Sequence, residues 1–198
     1  MEVIKSINYN QTEIIQNIID LHCPQGIEID ITYGNGSFYK DIKSPQRAFD
    51  LEPLFDFVEE SCSTNLPLKD FSVNSIMFDP PFLTYIKKGR EHNSIMAKRF
   101  SGYWSYKELE DHYKKTLNES SRVLKKKGIL IFKCQDIIHN HKMHSTHNKI
   151  VQWSESLYGF RVKDIFILLA KNRMPVNSKG KQQHSRQFHS YFLVLEKF

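Results

Sequence analysis

Cysteine is scarce: Cys23, Cys62 and Cys134 are the only three in 198 residues. They are odd in number and widely spaced, which excludes a disulfide frame or a cysteine-based zinc site and reads as reduced thiols in a cytoplasmic protein. No apolar run approaches the roughly 20 residues that a bilayer span requires. The start, Met1-Glu2-Val3-Ile4-Lys5, lacks the pattern of a signal peptide. No internal repeat and no low-complexity tract is present. Glycine is sparse too. Gly34 and Gly36 form a G-x-G pair, but Tyr39 and Lys40 stand near where a dinucleotide fingerprint needs its third glycine, which argues against NAD.

What is present fits one soluble α/β domain spanning residues 1–198, with hydrophobic content of 40% and charged content of 25%. The formal net charge of +6 favours a polyanionic partner. The chain is organised around Ser75-Ile76-Met77-Phe78-Asp79-Pro80-Pro81-Phe82. An apolar strand stops there at an acid, two prolines and an aromatic ring. Proline has no N–H and a fixed φ, so the strand cannot continue and a rigid turn forms at its C-terminal end. In an open parallel sheet that is where ligands bind. Asp79 can accept one N–H of an exocyclic amine, and a backbone carbonyl of the Pro80-Pro81 segment can accept the other. Phe82 offers a face on which a base can stack.

Around this stretch the pattern alternates between helix and strand. Ile14, Ile15, Ile18, Ile19 and Leu21 have helical spacing over residues 11–22, with Asn10 as N-cap and Glu13 completing a capping box. A strand over Ile27–Ile31 follows and runs into Asp30-Ile31-Thr32-Tyr33-Gly34-Asn35-Gly36, a turn where the glycines allow close backbone approach or positive φ. A short strand, Arg47–Asp50, ends on an acid 20 residues after Asp30. An acid at that place accepts from ribose hydroxyls in Rossmann-like sheets. Asp50 is the candidate and Glu52 the alternative; the competing reading is an N-cap on a helix over Pro53–Ser61. A helix is expected from Ser105 to Leu124, then a Lys125-Lys126-Lys127-Gly128 turn into a buried strand over Ile129–Lys133. A helix over Lys149–Leu157 and strands over Phe160–Ala170 and Tyr191–Lys197 complete the pattern, the last two forming a hairpin.

Two stretches suit nucleic acid. Residues 83–104 interleave Lys87, Lys88, Arg90, His92, Lys98 and Arg99 with Tyr103 and Trp104, so that cations meet phosphate and rings meet bases. Residues 171–190 carry Arg173, Lys179, Lys181 and Arg186. The run His139, His141, His144 and His147 has no Cys or acid at a zinc spacing within it, and no metal site is expected.

The Asp79-Pro80-Pro81-Phe82 tetrad resembles the Asp-Pro-Pro-Tyr/Phe motif of the S-adenosylmethionine-dependent DNA amino methyltransferases, which methylate adenine N6 or cytosine N4. Asp30-Ile31-Thr32-Tyr33-Gly34-Asn35-Gly36 is similar to their Asp-Pro-Phe-x-Gly-x-Gly cofactor turn, departing from it at Thr32-Tyr33. Gln11-Thr12-Glu13 looks like the segment that precedes that turn and flanks the methionine end of the cofactor. Leu66-Pro67 resembles the segment before their catalytic strand. Ser61, Cys62, Ser63 and Thr64 stand where those enzymes carry an acid for the adenine amine, leaving a serine hydroxyl or a backbone group for it. Phe188-His189-Ser190-Tyr191-Phe192-Leu193-Val194 looks like their His-Glu-Tyr-Leu-Leu-Val ending, with Ser190 in place of Glu.

The resemblance implies a Rossmann-like, mostly parallel seven-stranded sheet with helices on both faces and an antiparallel C-terminal strand. It implies S-adenosylmethionine held by Asp30, Thr32, Gly34, Gly36, Asp50 and Thr12, and catalysis by Asp79, Pro80, Pro81 and Phe82. Direct methyl transfer needs no metal. The expected substrate is a base in DNA, adenine N6 first, because Asp at the first tetrad position looks more like the adenine enzymes. An RNA methyltransferase acting on adenine N6 or guanine N2 is the alternative, and a non-catalytic nucleic-acid-binding module the third reading. The length leaves no room for a large target-recognition domain, so residues 83–104, 135–148 and 171–190 do that work, or specificity is low, or a partner supplies it.

Overall fold

The structure, a computed structural model, describes residues 3–84, 102–171 and 181–198. Ten strands and three helices alternate along the described chain: β1 (Ile7–Asn8), α1 (Gln11–His22), β2 (Ile29–Asp30), β3 (Arg47–Asp50), β4 (Val58–Glu60), β5 (Val73–Phe78), α2 (Tyr106–Val123), β6 (Leu124–Cys134), β7 (Ile137–His139), β8 (Lys142–His144), α3 (Thr146–Leu157), β9 (Phe160–Leu169) and β10 (His189–Lys197). A 3₁₀ turn, Ser37–Tyr39, follows β2.

Eight strands form one sheet in the order β1-β9-β10-β6-β5-β2-β3-β4. The pairs from β6 to β4 are parallel, and β10 is antiparallel to both β6 and β9. Six of the eight strands stand where the sequence pattern puts them, and β4 is a seventh. The eighth is β1, a two-residue strand that pairs with the outer edge of β9 through Ile7↔Ile167 and Asn8↔Leu168.

Alternation along the central strands builds a core on each face. Ile76 and Phe78 of β5, Leu130, Phe132 and Cys134 of β6, and Leu193 and Leu195 of β10 pack with α2 and α3. Met77, Ile129, Ile131, Phe192 and Val194 point the other way, against Ile14, Ile15, Ile18 and Ile19 of α1. Parallel strands buried on both sides need such near-continuous apolar runs. Leu21, counted with the apolar face of α1, is instead exposed.

Local chemistry explains where the elements begin and end. Asn10 caps α1 by accepting from the Thr12 N–H at 3.0 Å. The Asn10 N–H itself donates to Asn8 Oδ1 at 2.9 Å, which takes the place of the reciprocal Glu13 bond of a capping box. Ser105 Oγ accepts from the Glu108 N–H, and Glu108 reaches back to the Trp104 N–H at 2.8 Å, which sets the start of α2. The three-lysine turn after α2 is a bulge within β6: Val73 pairs Leu124, then Ser75 pairs Ile129, and Lys127 takes φ +65°.

Three boundaries differ from the sequence pattern. Residues 53–61 form no helix; a short link leads into β4, which pairs in parallel with β3 through Ala48↔Val58. α3 begins at Thr146 rather than Lys149, because Asp136 Oδ1 accepts the His147 N–H at 3.1 Å and caps the earlier turn. The first three histidines of the run lie on a hairpin, β7 against β8, turning through Asn140 and His141, both at positive φ, and His147 lies in α3.

Candidate functional site

The C-terminal ends of β2, β3, β5 and β6 converge on one edge of the sheet. β5 ends at Phe78, and the Asp79 N–H donates to Thr32 Oγ1 at 2.7 Å, tying the proline turn to the end of β2. The register Phe78↔Phe132 sets Asp79 beside Lys133 on the next strand. Lys133 Nζ lies 3.2 Å from Asp79 Oδ2 and donates to Gln11 Oε1 at 2.9 Å. Asp79 Oδ1 is buried, with no hydrogen-bond partner among the described residues. Burial pushes the Asp79 carboxyl up, and Lys133 opposes that rise. Of the two proline carbonyls, that of Pro81 accepts from the Tyr113 hydroxyl of α2 at 2.9 Å. The Pro80 carbonyl has no donor among the described residues. Phe82 is half-buried next in the chain.

The glycine turn is held from beneath. Asp30 is 1% exposed; its Oδ1 accepts the Thr32 N–H at 2.8 Å and its Oδ2 the Tyr39 hydroxyl at 2.6 Å. Burial pushes the Asp30 carboxyl up to about 7, against the pull of those two donors. The two glycines do different work. Gly34 has φ +56° and open space where a Cβ would stand, and its N–H donates to Asp50 Oδ2 at 2.8 Å. Gly36 has φ +67°, and a Cβ there would meet the Tyr33 hydroxyl at 2.8 Å and its ring at 3.0 Å. Tyr33 in turn stacks on Tyr39 with ring centroids 5.6 Å apart and meets the edges of Phe55 and Phe57.

Asp50 caps no helix. Its Oδ1 accepts the Glu52 N–H at 3.0 Å and its Oδ2 the Gly34 N–H, so both oxygens are fixed in place and each keeps a further lone pair. Thr12 lies in the first turn of α1, and its neighbour Gln11 reaches the Asp79 ion pair. Ser63 is buried against His112 and Thr116, at 2.8 and 3.1 Å, while the Ser61 hydroxyl donates to the Asn65 carbonyl.

The structure thus gathers Asp79, Pro80, Thr32, Gly34 and Asp50 along one edge and puts Asp30 and Gly36 in supporting positions under it. Sequence reasoning missed Lys133, Gln11, Tyr39 and Tyr113. Lys133 carried a signal, as the one charge within the apolar run Ile129–Cys134. Most of the basic stretch over residues 83–104, and Arg173 and Lys179, lie outside the described residues. Among the described residues no group of three or more His, Cys, Asp or Glu side chains is placed to hold a metal ion, and no helix is long and apolar enough to cross a membrane.

No protein-family model and no curated protein matches the sequence. Solved structures do share the fold. TrmN from Thermus thermophilus superposes with a TM-score of 0.53 over 94% of this chain and 49% of its own, at 13% identity. A Bacillus halodurans protein assigned as a methyltransferase gives 0.51 over 92% of this chain and 98% of its own, at 15% identity. The cytosine-N4-specific PvuII DNA methyltransferase gives 0.47 over 67% of this chain and 45% of its own, at 12% identity. The chain spans about half the length of TrmN and of the PvuII enzyme. At these identities the fold is what is shared, a Rossmann-like, mostly parallel α/β sheet.

Proposed function

We propose that this chain transfers a methyl group from S-adenosylmethionine to the exocyclic amine of a nucleic-acid base, adenine N6 in DNA in the first place. The observation that carries the reading is Asp79 Oδ1, a buried carboxylate oxygen without a donor among the described residues, on a rigid Pro-Pro turn at the C-terminal end of a central parallel strand. A buried acceptor left unpaired is costly, and an amine N–H is the donor that satisfies it. The Pro80 carbonyl takes the second N–H of the same amine. Phe82 supplies a stacking face, and the base must leave its duplex to reach it.

The residues at the glycine turn fit the cofactor. Open space at Gly34 admits a ligand against the backbone, and Asp50 keeps lone pairs for two ribose hydroxyls. Thr32 and Thr12 flank the methionine end. Asp30 holds the turn from below, through the Thr32 N–H and the Tyr39 hydroxyl, and Gly36 makes room for Tyr33. When bound, S-adenosylmethionine supplies a methyl group made electrophilic by its sulfonium. Asp79 holds the amine with its lone pair free to attack, and the carboxylate favours the positive charge that develops on nitrogen. The amine then releases a proton to solvent.

The test is methyl transfer from labelled S-adenosylmethionine to unmethylated DNA and to total RNA in parallel, followed by nucleoside analysis. Label in N6-methyladenine from DNA is expected. Asp79→Ala is expected to lower the rate by about 10²- to 10³-fold, the scale of losing one oriented stabilising group, with calorimetric cofactor binding retained. Label in RNA alone moves the reading to an RNA substrate with the same chemistry. No label and no cofactor binding overturns it.

A further inference from the structure

Lys133 is an unusual residue for its place. β6 alternates so that Ile129, Ile131 and Lys133 share the α1 face, and Lys133 is 8% exposed. Its Nζ lies over two rings, 4.8 Å from the centroid of Phe38 and 5.6 Å from that of Phe192. Its head is shared between Asp79 Oδ2 and Gln11 Oε1. A buried ammonium is retained only where it is paired and hydrogen-bonded. Here the pairing is asymmetric. One oxygen of Asp79 is engaged by the ammonium, and the other has no partner among the described residues.

We propose that Lys133 is a positioning residue for the amine site: with Gln11 it holds Oδ2 of Asp79, keeps that carboxylate ionised in a buried setting, and leaves Oδ1 as the oxygen presented to the substrate. The placement for an amine rests on the methyltransferase reading; the pairing does not. The alternatives at Asp79 without Lys133 are a protonated carboxyl or a carboxylate free to rotate, and each presents the amine with a different pair of atoms. Among the described residues, Lys133 is the charged group that acts on Asp79, and Asp79 in turn raises Asp30 at the end of β2, Tyr39 in the 3₁₀ turn, Tyr113 on α2 and Cys134 on β6. All of these are neutral or negative, so Lys133 is the only cation in the set.

The deciding measurement is the ¹³C titration of the Asp79 carboxyl in the wild type, Lys133→Met and Lys133→Arg. Methionine keeps an unbranched apolar stem of similar length and removes the charge. The expected result is an upward move of the Asp79 titration by about one to three pH units in Lys133→Met, the range for losing an adjacent opposite charge, with Lys133→Arg close to the wild type. In the transfer assay the acid limb of kcat is expected to move up by the same amount. An unchanged Asp79 titration in folded Lys133→Met overturns the proposal. Should Lys133→Met fail to fold, the double variant Asp79→Asn/Lys133→Met decides: recovered folding supports the pairing, and equal instability overturns it. A shifted titration in a protein that transfers no methyl group supports the pairing and removes the methyltransferase reading.

Discussion

Asp30 shows how one residue can serve a site without facing a ligand. Its two oxygens fix the Thr32 backbone and the Tyr39 hydroxyl, and Thr32 in turn holds the Asp79 N–H. The arrangement places a carboxyl at 1% exposure, with its titration pushed up from 3.8 to about 7. The folded state therefore binds a proton that the unfolded chain has released between those values. Stability is then greatest at the acid end of this window and falls as pH rises from about 4 to about 7. Asp30→Asn keeps the acceptor for the Thr32 N–H and can donate to the Tyr39 oxygen. Its chemical-denaturation midpoint is expected to vary less over that window than that of the wild type. A variant with the same pH slope as the wild type would show that Asp30 does not titrate there.

The proline turn is braced by an element far from it in sequence. Tyr113, in the middle of α2, is fully buried and donates to the Pro81 carbonyl. Its ring meets the edges of Phe78 and Phe132 on the strands that carry Asp79 and Lys133. Tyr113→Phe keeps the ring and leaves the carbonyl unsatisfied, so a loss of about 1–3 kcal/mol is expected in urea unfolding. On the proposed function, methyl transfer is expected to fall as well, because the freed Pro81 carbonyl would compete with that of Pro80 for the amine. Intact stability in Tyr113→Phe would mean that the bond does not brace the turn.

The same contacts mark the boundary of what the sequence could show. The periodicity of α1, α2 and the central strands was legible because apolar spacing within one element is local information. So was the Asp79 tetrad, since proline stops a strand wherever it stands. The Lys133–Asp79 pair depends on which strands are neighbours and on the Phe78↔Phe132 register, and the Tyr113–Pro81 bond on how α2 lies across the sheet. The absent helix over residues 53–61 follows similarly from a tertiary contact, since β4 completes the sheet edge beside β3.

At the scale of the whole molecule, charge is the property that bears on the partner. The chain carries 28 Lys and Arg against 22 Asp and Glu. Several of the described acids are spent internally: Glu119 and Asp70 pair with Arg122, Glu196 with Arg161 and Lys163, and Glu110 with Lys149. Those pairs cancel locally, so the excess of +6 is carried by cations outside them. A base held by the Asp79 turn brings its phosphates with it, and each phosphate neutralised by a lysine or arginine releases counterions. The logarithm of the binding constant then falls with the logarithm of salt at about 0.9 per contact for duplex DNA and about 0.7 for a single strand. Two contacts suffice for a loss of about tenfold in duplex affinity between 50 and 200 mM salt. Fluorescence anisotropy of labelled duplex and single-stranded DNA over that range, with the cofactor present, measures the slope. A steeper slope with single strands would place the flipped, unpaired strand in the basic contacts. Binding that does not respond to salt would remove a nucleic-acid backbone from the partner, and with it the base as substrate, while leaving the amine chemistry of Asp79 for a small molecule.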